Sequence, residues 1–446
     1  MSWLVCGSPI YGQETEPKCG EALSQTFQPA TAPSEIPTLQ SLYTPIIPDR
    51  SVPRPPQPQP AKFHLRGRID TDFLWSDQSA KNADTFGELG DTVGLRRARI
   101  GAEGHLSPES RYVGEIDLAT GSIVVRDLYF GRGNVAEGGE FRYGHMREPF
   151  SLEGATSANS FAFMERSPIN VLDPARNWGI AYTRSSRDEM LLFSGGVFAA
   201  GTDSSDLQFG QTSTTDFTFK GTGLAYYENE GRQLMHWGVV LSERLPNQGF
   251  VAINEQPQTP LLDLSDSSTS PFIPKLKIPA SFQQLANVQW ACVHNSFWAQ
   301  AEWYGTVIDQ IGGGPVFFHG SYLDLGYFLT GEHRSYQKST GSFGLVSVRR
   351  PLISQFSSKS HEEQLGYGAI ETVFRASYLD LVDGDTPGGA PGQTVGVQMP
   401  LATIGVNWYL ADRLRLMFNY SYAVPDEATT GASSVSIFGM RLGMFW

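Results

Sequence analysis

Between Phe63 and the last residue, Trp446, apolar and polar side chains alternate with a period of two, and this constrains the chain more than any other feature. In the first segment Phe63, Leu65, Ile69, Phe73 and Trp75 share one face, while His64, Arg66, Arg68, Asp70 and Asp72 share the other. Ala98, Ile100, Ala102 and Leu106 alternate with Arg97, Arg99, Glu103 and His105; Tyr112, Ile116 and Leu118 alternate with Arg111, Glu115 and Asp117. The pattern returns around Ile370–Tyr378, with Glu371 and Arg375 on the polar side, and around Leu414–Tyr422, with Arg413 and Arg415 there. Successive residues of a strand point to opposite faces, so each segment reads as a strand with one greasy and one charged face. A soluble sandwich with one wet face also alternates. Here charges of both signs recur at mid-strand opposite small or aromatic residues suited to lipid, the pattern of a transmembrane barrel.

The expected fold is therefore all-β, a transmembrane antiparallel β-barrel of about 16 strands. That number leaves about 24 residues for each strand with its connection, enough for a spanning strand and a turn or loop. A mean hydropathy of -0.24 fits, because lipid-facing and lumen-facing residues average out. No run approaches the roughly 18 apolar residues of a spanning helix. Ser107–Ser110 and Ala411–Asp412 look like short turns, whereas residues 151–175, 245–281, 355–365 and 383–394 look like outward loops. Trp446, Met444, Leu442, Met440 and Phe438 form one face of a last strand with Arg441 on the other, and a strand ending on an aromatic residue suggests targeting to a barrel-assembly machinery.

Three regions follow. Residues 1–25 are apolar around Trp3–Val5 but lack a basic leader region, and read as the tail of a longer signal peptide. Residues 26–62 are crowded with proline and read as an extended periplasmic linker, with a peptide-recognition ligand as the alternative. Residues 63–446 form the barrel. Cys6, Cys19 and Cys292 are too few for a disulfide framework or a metal site, although Cys6 and Cys19 could pair in an oxidising compartment. The eight histidines are dispersed without metal-ligand spacing, and Gly312–Pro315 reads as a turn rather than a phosphate cradle. No catalytic set, metal or cofactor is expected. The net charge of -13 argues against nucleic acid as a partner. A soluble carbohydrate-binding β protein is the competing class.

Several local strings carry a resemblance. Leu95-Arg96-Arg97-Ala98-Arg99-Ile100-Gly101 is an arginine-rich strand, followed by an acidic one around Glu115 and Asp117. Arg147-Glu148-Pro149-Phe150, Phe163-Met164-Glu165-Arg166-Ser167 and Pro174-Ala175-Arg176-Asn177-Trp178-Gly179 follow in that order, and Gly405-Val406-Asn407-Trp408 lies near the end. Together they resemble the phosphate-selective porin O and P family. The resemblance implies a sixteen-stranded porin of the Gram-negative outer membrane, a homotrimer in contact with outer-membrane lipid. It also implies a third loop folded inward to narrow the pore, and small anions such as phosphate as the transported partners. Phosphate-selecting members line the pathway with an arginine ladder and a lysine cluster. Here Lys81, Lys220, Lys275, Lys277, Lys338 and Lys359 are scattered, so a weakly selective general diffusion pore is the alternative.

A pore that selects anions must place positive charge where its lumen narrows, since a low-dielectric wall strengthens each interaction. Of 33 basic residues only eight are lysine, so that charge would be guanidinium, whose fork matches oxyanions. Parity puts Arg66, Arg68, Arg97 and Arg99 on the charged face of the wall, and the resemblance puts Arg166 and Arg176 on the inward loop. Arg96 is out of phase and belongs at a rim or bulge. Glu103, Glu115 and Asp117 are expected to pair with some of these arginines across strands. The alternative is that all these arginines merely neutralise lumen carboxylates.

Overall fold

A computed structural model describes residues 62–446 except 120, 122, 137, 201–213, 254–271, 274–275, 354–365 and 384–395. Sixteen strands make the wall: β1 (Lys62–Gln78), β2 (Thr92–Ser107), β3 (Ser110–Asp117), β4 (Val124–Val135), β5 (Gly139–Arg147), β6 (Arg176–Ser185), β7 (Leu191–Ala200), β8 (Thr214–Glu228), β9 (Gln233–Pro246), β10 (Leu276–His294), β11 (Phe297–Gln310), β12 (Val316–Phe328), β13 (Ala369–Asp380), β14 (Val397–Ala411), β15 (Leu414–Ala423) and β16 (Val435–Phe445). Each pairs antiparallel with the next, and β16 returns to β1 in a register running from Arg68 opposite Phe445 to Gln78 opposite Val435. Gly67 and Trp446 extend the seam, each donating its N–H to the other's carbonyl at 3.1 Å. Closure leaves no wall strand with an unpaired edge, which a sheet surrounded by lipid requires. Among the described residues no helix is long and apolar enough to cross a membrane, so crossing falls to the strands.

The period of two decides what each strand shows to either side. On β1 the outward Phe63 and Leu65 are 62% and 55% exposed, whereas Asp70 and Asp72 on the inward side are fully buried. Outward Trp237, Val239 and Leu241 of β9 repeat the arrangement. An even number of strands brings Lys62 and Trp446 to the same end, with the short connections at 108–109, 295–296 and 412–413. This turn end is the periplasmic end in barrels of this kind, and apart from the connection between β12 and β13 the longer connections lie at the opposite, loop end.

The third loop and the connection between β12 and β13 fold into the lumen. The third loop, residues 148–175, leaves β5 at the loop end and makes a helical turn at Leu152–Ala155, capped by Ser151 Oγ accepting from Gly154 N, then 3-10 turns at Ala158–Ser160 and Pro168–Leu172. Ile169 packs on the far wall at Gly320 of β12, where any Cβ would collide with it. The second is the connection between β12 and β13, described at residues 329–353 and 366–368. A small hairpin pairs Tyr336–Gln337 with Ser342–Phe343. The Arg334 guanidinium lies 3.9 Å from the ring centres of both Trp298 and Phe343 and donates to Gln300 Oε1 at 3.1 Å, while Tyr336 Oη is 2.7 Å from His236 Nδ1. Leu152 and Phe163 of the third loop join Phe343, Val346 and Val348 and the wall residues Leu234, Trp298, Phe328 and Tyr409 in one apolar core. The lumen beside β8–β14 is thereby filled.

Residues 355–365 were expected to form an outward loop and lie outside the described residues. Their flanks are placed at the turn end, where Leu352 N donates to Leu410 O at 2.8 Å and Gly366 N to Pro351 O at 3.0 Å. Chain direction reverses with every strand, so the connection after the twelfth must fall at that end. The loop expected at 245–281 is shortened by strand. β9 runs to Pro246, and Phe250–Ile253 pairs with the start of β10. Residues 1–61 and 384–395, which include the leader segment, most of the proline-rich linker and most of the 383–394 loop, lie outside the described residues.

If Arg334 clamps the hairpin inside the barrel, Arg334→Ala exposes it. Trypsin then cleaves the purified barrel after Lys338 at least about tenfold faster than wild type, on the scale of about 1–2 kcal/mol for a desolvated cation–π contact. Equal cleavage rates, read by mass spectrometry, would show that the clamp is not what holds the segment.

Candidate functional site

With one half filled, the open lumen is a cavity of about 910 Å³ between the third loop and β1–β8. Its lining reaches from Arg413 and Thr183 near the turn end to Ala119 and Val124 at the loop end. Twelve basic and five acidic side chains line it, in a chain whose net charge is -13.

The wall arginines are held by carboxylates. Arg66 reaches Glu115 at 2.7 Å and Glu103 at 2.9 Å; Arg68 reaches Asp70 at 2.6 Å and Asn159 Oδ1 at 2.8 Å. Arg99 reaches Asp117 at 2.8 Å and Glu115 at 3.5 Å. On β2 the register shifts, so that Asp70 faces Arg97 and Thr71 faces Leu95, leaving Arg96 as the extra residue of a bulge. A bulge re-aims the side chain it inserts. Arg96 and its neighbour Arg97 consequently both point inward, to Glu165 of the third loop at 3.1 and 2.7 Å. Arg176 was expected on the loop, but it opens β6 opposite Arg147, where ladder pairing has already begun, and its side chain reaches Asp127 at 3.0 Å.

Arg166 differs. Its Nε donates to Glu153 O at 3.4 Å and its guanidinium lies 4.5 Å from the Phe161 ring centre, and among the described residues no carboxylate lies within ion-pairing distance of it. Burial pushes its pKa down and Arg147 adds to this, outweighing the nearby Glu153 and Asp173. An arginine side chain in a protein stays protonated. Arg166 is therefore a part-buried positive charge with Arg147 nearby and no ion-pair partner among the described residues. Lys220 of β8 likewise has no carboxylate within ion-pairing distance among the described residues, its ammonium donating to Ser151 O at 3.1 Å.

The third loop is held across the lumen by Arg375, Arg415 and Arg441, which sequence reasoning placed on the polar faces without giving them this task, and by Asn407 and Glu302. Arg375 of β13 bridges Asp324 at 2.7 Å, Glu153 at 2.6 Å and the Glu165 carbonyl at 3.0 Å. Arg441 of β16 bridges Asp72 and Glu165, both at 2.6 Å, and donates to Met164 O. Arg415 donates to Phe161 O at 2.6 Å and Asn407 Nδ2 to Ala162 O at 2.7 Å. Glu302 of β11, missed altogether, accepts from the N–H groups of Leu152 and Glu153 at 2.8 and 2.7 Å. Burial alone would push the Glu165 carboxyl up, but Arg96, Arg97 and Arg441 override it and hold it well below the usual carboxylate range. Among the described residues no group of three His, Cys, Asp or Glu could hold a metal ion.

A model of the phosphate-selective porin O and P family matches residues 63–444. The chain belongs to that family. It is accordingly a β-barrel of the outer membrane, of a family of channel proteins. It is 25% identical over 391 residues to Porin O of Pseudomonas aeruginosa, covering 82% of this chain and 84% of that one. A Caulobacter vibrioides protein described as uncharacterized is 26% identical over 412 residues, covering 90% and 74%. Solved structures alike in outline include the trimer form of Vibrio cholerae OmpT, with 11% identity, coverage of 86% and 99% and a TM-score of 0.49. An anion-selective porin from Comamonas acidovorans has 10% identity, coverage of 86% and 100% and a TM-score of 0.48.

Arg441 is fully buried with Asp72 and Glu165. Arg441→Met leaves two carboxylates short of their cation, a loss of about 3–5 kcal/mol. The temperature at which the folded band converts to the unfolded band on an unboiled gel should fall clearly below that of wild type. An unchanged transition would mean that this triad does not hold the loop.

Proposed function

We propose that the protein lets small anions diffuse across the outer membrane through the cavity beside the third loop. In this reading Arg166 is the selecting charge, and Arg66, Arg68, Arg96, Arg97, Arg99 and Arg176 form the charged wall of the pathway. Glu103, Glu115 and Asp117 orient that wall by pairing with Arg66 and Arg99. The observation that supports it is the excess of basic lining, twelve side chains against five, with Arg166 lacking a carboxylate partner among the described residues. A permeating anion exchanges part of its hydration shell for guanidinium N–H donors and must bind weakly enough to leave.

The family name speaks for phosphate. Lys220 is the one lysine in the lining, which speaks for a broader range of small oxyanions and halides. A weakly selective pore is favoured by one further observation: six of the seven proposed arginines already hold a carboxylate. The family resemblance also supports a homotrimer in outer-membrane lipid; light scattering in detergent should give three times the barrel mass, and a monomer mass would remove that part.

Planar-bilayer recordings in a salt gradient test the pathway. The reversal potential should show anion preference, and Arg166→Ala should lower the anion-to-cation permeability ratio roughly fivefold, the scale of about 1 kcal/mol for a hydrated charge at close range. Cation preference in the wild-type pore would overturn the proposal, and a ratio unmoved by Arg166→Ala would remove Arg166 from it.

A further inference from the structure

A second, smaller cavity of about 60 Å³ lies within the barrel, on the loop side of the third loop. Leu74, Leu401 and Ile437 contribute the wall and Phe163, Met164 and Pro168 the loop, giving an apolar lining next to the arginine-lined cavity. Thr403, Ser421 and Arg375 at its margin are already engaged. Thr403 and Ser421 hydroxyls bond each other at 2.8 Å, and Arg375 is committed to Asp324 and Glu153. Glu165 and Arg166 border both this pocket and the arginine-lined cavity. Glu165 is bound by three arginines, so the charge at the junction left without a carboxylate partner among the described residues is Arg166.

We propose that the pocket takes the apolar end of an amphiphilic organic anion, a medium-chain or aromatic carboxylate, whose charged end lies beyond it at Arg166. The inference rests on the anion-pathway reading and refines its substrate class. A water needs on the order of 10–15 Å³ of such space, so the pocket accommodates about four to six heavy atoms. That matches the chain of a hexanoate or the ring of a benzoate. Each methylene fully withdrawn from water is worth about fourfold in affinity. Inorganic phosphate, with no apolar part, gains nothing there. The pocket stands on the loop side of the third loop and meets the arginine-lined cavity at Glu165 and Arg166.

The test is block of chloride current through the full-length porin in planar bilayers by sodium acetate, hexanoate, benzoate and inorganic phosphate. Hexanoate and benzoate should halve the current at a concentration at least about tenfold below that of acetate. Ser421→Leu, which fills the pocket, should bring the acetate-to-hexanoate ratio of half-blocking concentrations close to one. Because the ratio is taken within one variant, a general change in conductance cancels. Ile437→Asn, which makes the lining polar without filling it, should act in the same direction and covers the case in which Ser421→Leu does not assemble. Equal half-blocking concentrations across the carboxylates in wild type, or a hexanoate preference that survives both variants, would overturn the pocket and leave anion selectivity standing. Cation preference in the salt gradient would instead remove the pathway on which the pocket depends.

Discussion

An irregular stretch of backbone inside a barrel must have its N–H and C=O groups satisfied without a ladder, and the rest of this structure depends on how that is done. The third loop presents the carbonyls of Ala158, Phe161, Ala162, Met164 and Glu165 to the far wall, and Arg415, Asn407, Arg441 and Arg375 donate to them. The exposed N–H groups at the start of its helical turn, which no helix can satisfy internally, find the Glu302 carboxylate. Arg375 and Arg441 are themselves paired with carboxylates, whereas Arg415 commits its fork to the Phe161 and Ala158 carbonyls and Glu302 accepts from backbone and neutral side-chain donors. The loop is thus fixed to β11 and β13–β16, and the open space falls on the opposite side.

From that placement follows a division of the lumen. Beside β8–β14 the third loop and the segment around Phe343, Val346 and Val348 build an apolar core that needs no water. Beside β1–β6 the wall carries interleaved arginines and carboxylates that do. Pairing gives the wall arginines defined orientations but consumes most of their charge, so the field along the cavity depends on the excess. Arg166 and Lys220, held by carbonyls rather than carboxylates, supply part of that excess.

The wall was legible because a strand's period is a property of adjacent residues. Alternation alone located Arg66, Arg68, Arg97 and Arg99 on the inner face, and the broken phase at Arg96 marked the bulge that the register shift between Asp70 and Thr71 displays. The anchors were not legible. Arg441 and the Met164 carbonyl are 277 residues apart, and nothing near either position encodes the other. Residues 329–368 were obscured for a different reason. Their hairpin has two residues per strand, too few to show a period, and the usable signal was parity: a connection following an even-numbered strand belongs to the turn end.

The scarcity of lysine has a second cause beyond the solute. Arg375 holds two carboxylates and a carbonyl on three elements at once, and Arg441 does the same with Asp72, Glu165 and Met164. A planar fork with five donors in fixed directions can bridge such partners, whereas an ammonium is a compact point charge on a flexible stem. Lys220, the one lysine lining the cavity, contacts the loop through a single carbonyl. Arginine in this lumen is therefore selected by the geometry of holding a loop in place as much as by affinity for anions, and a count of arginines overstates the charge available to a solute. Arg375, Arg415 and Arg441 commit their forks to the loop and belong to the scaffold, whether their partners are carboxylates or carbonyls, and it is only on the guanidiniums lining the cavity that the proposed pathway can draw.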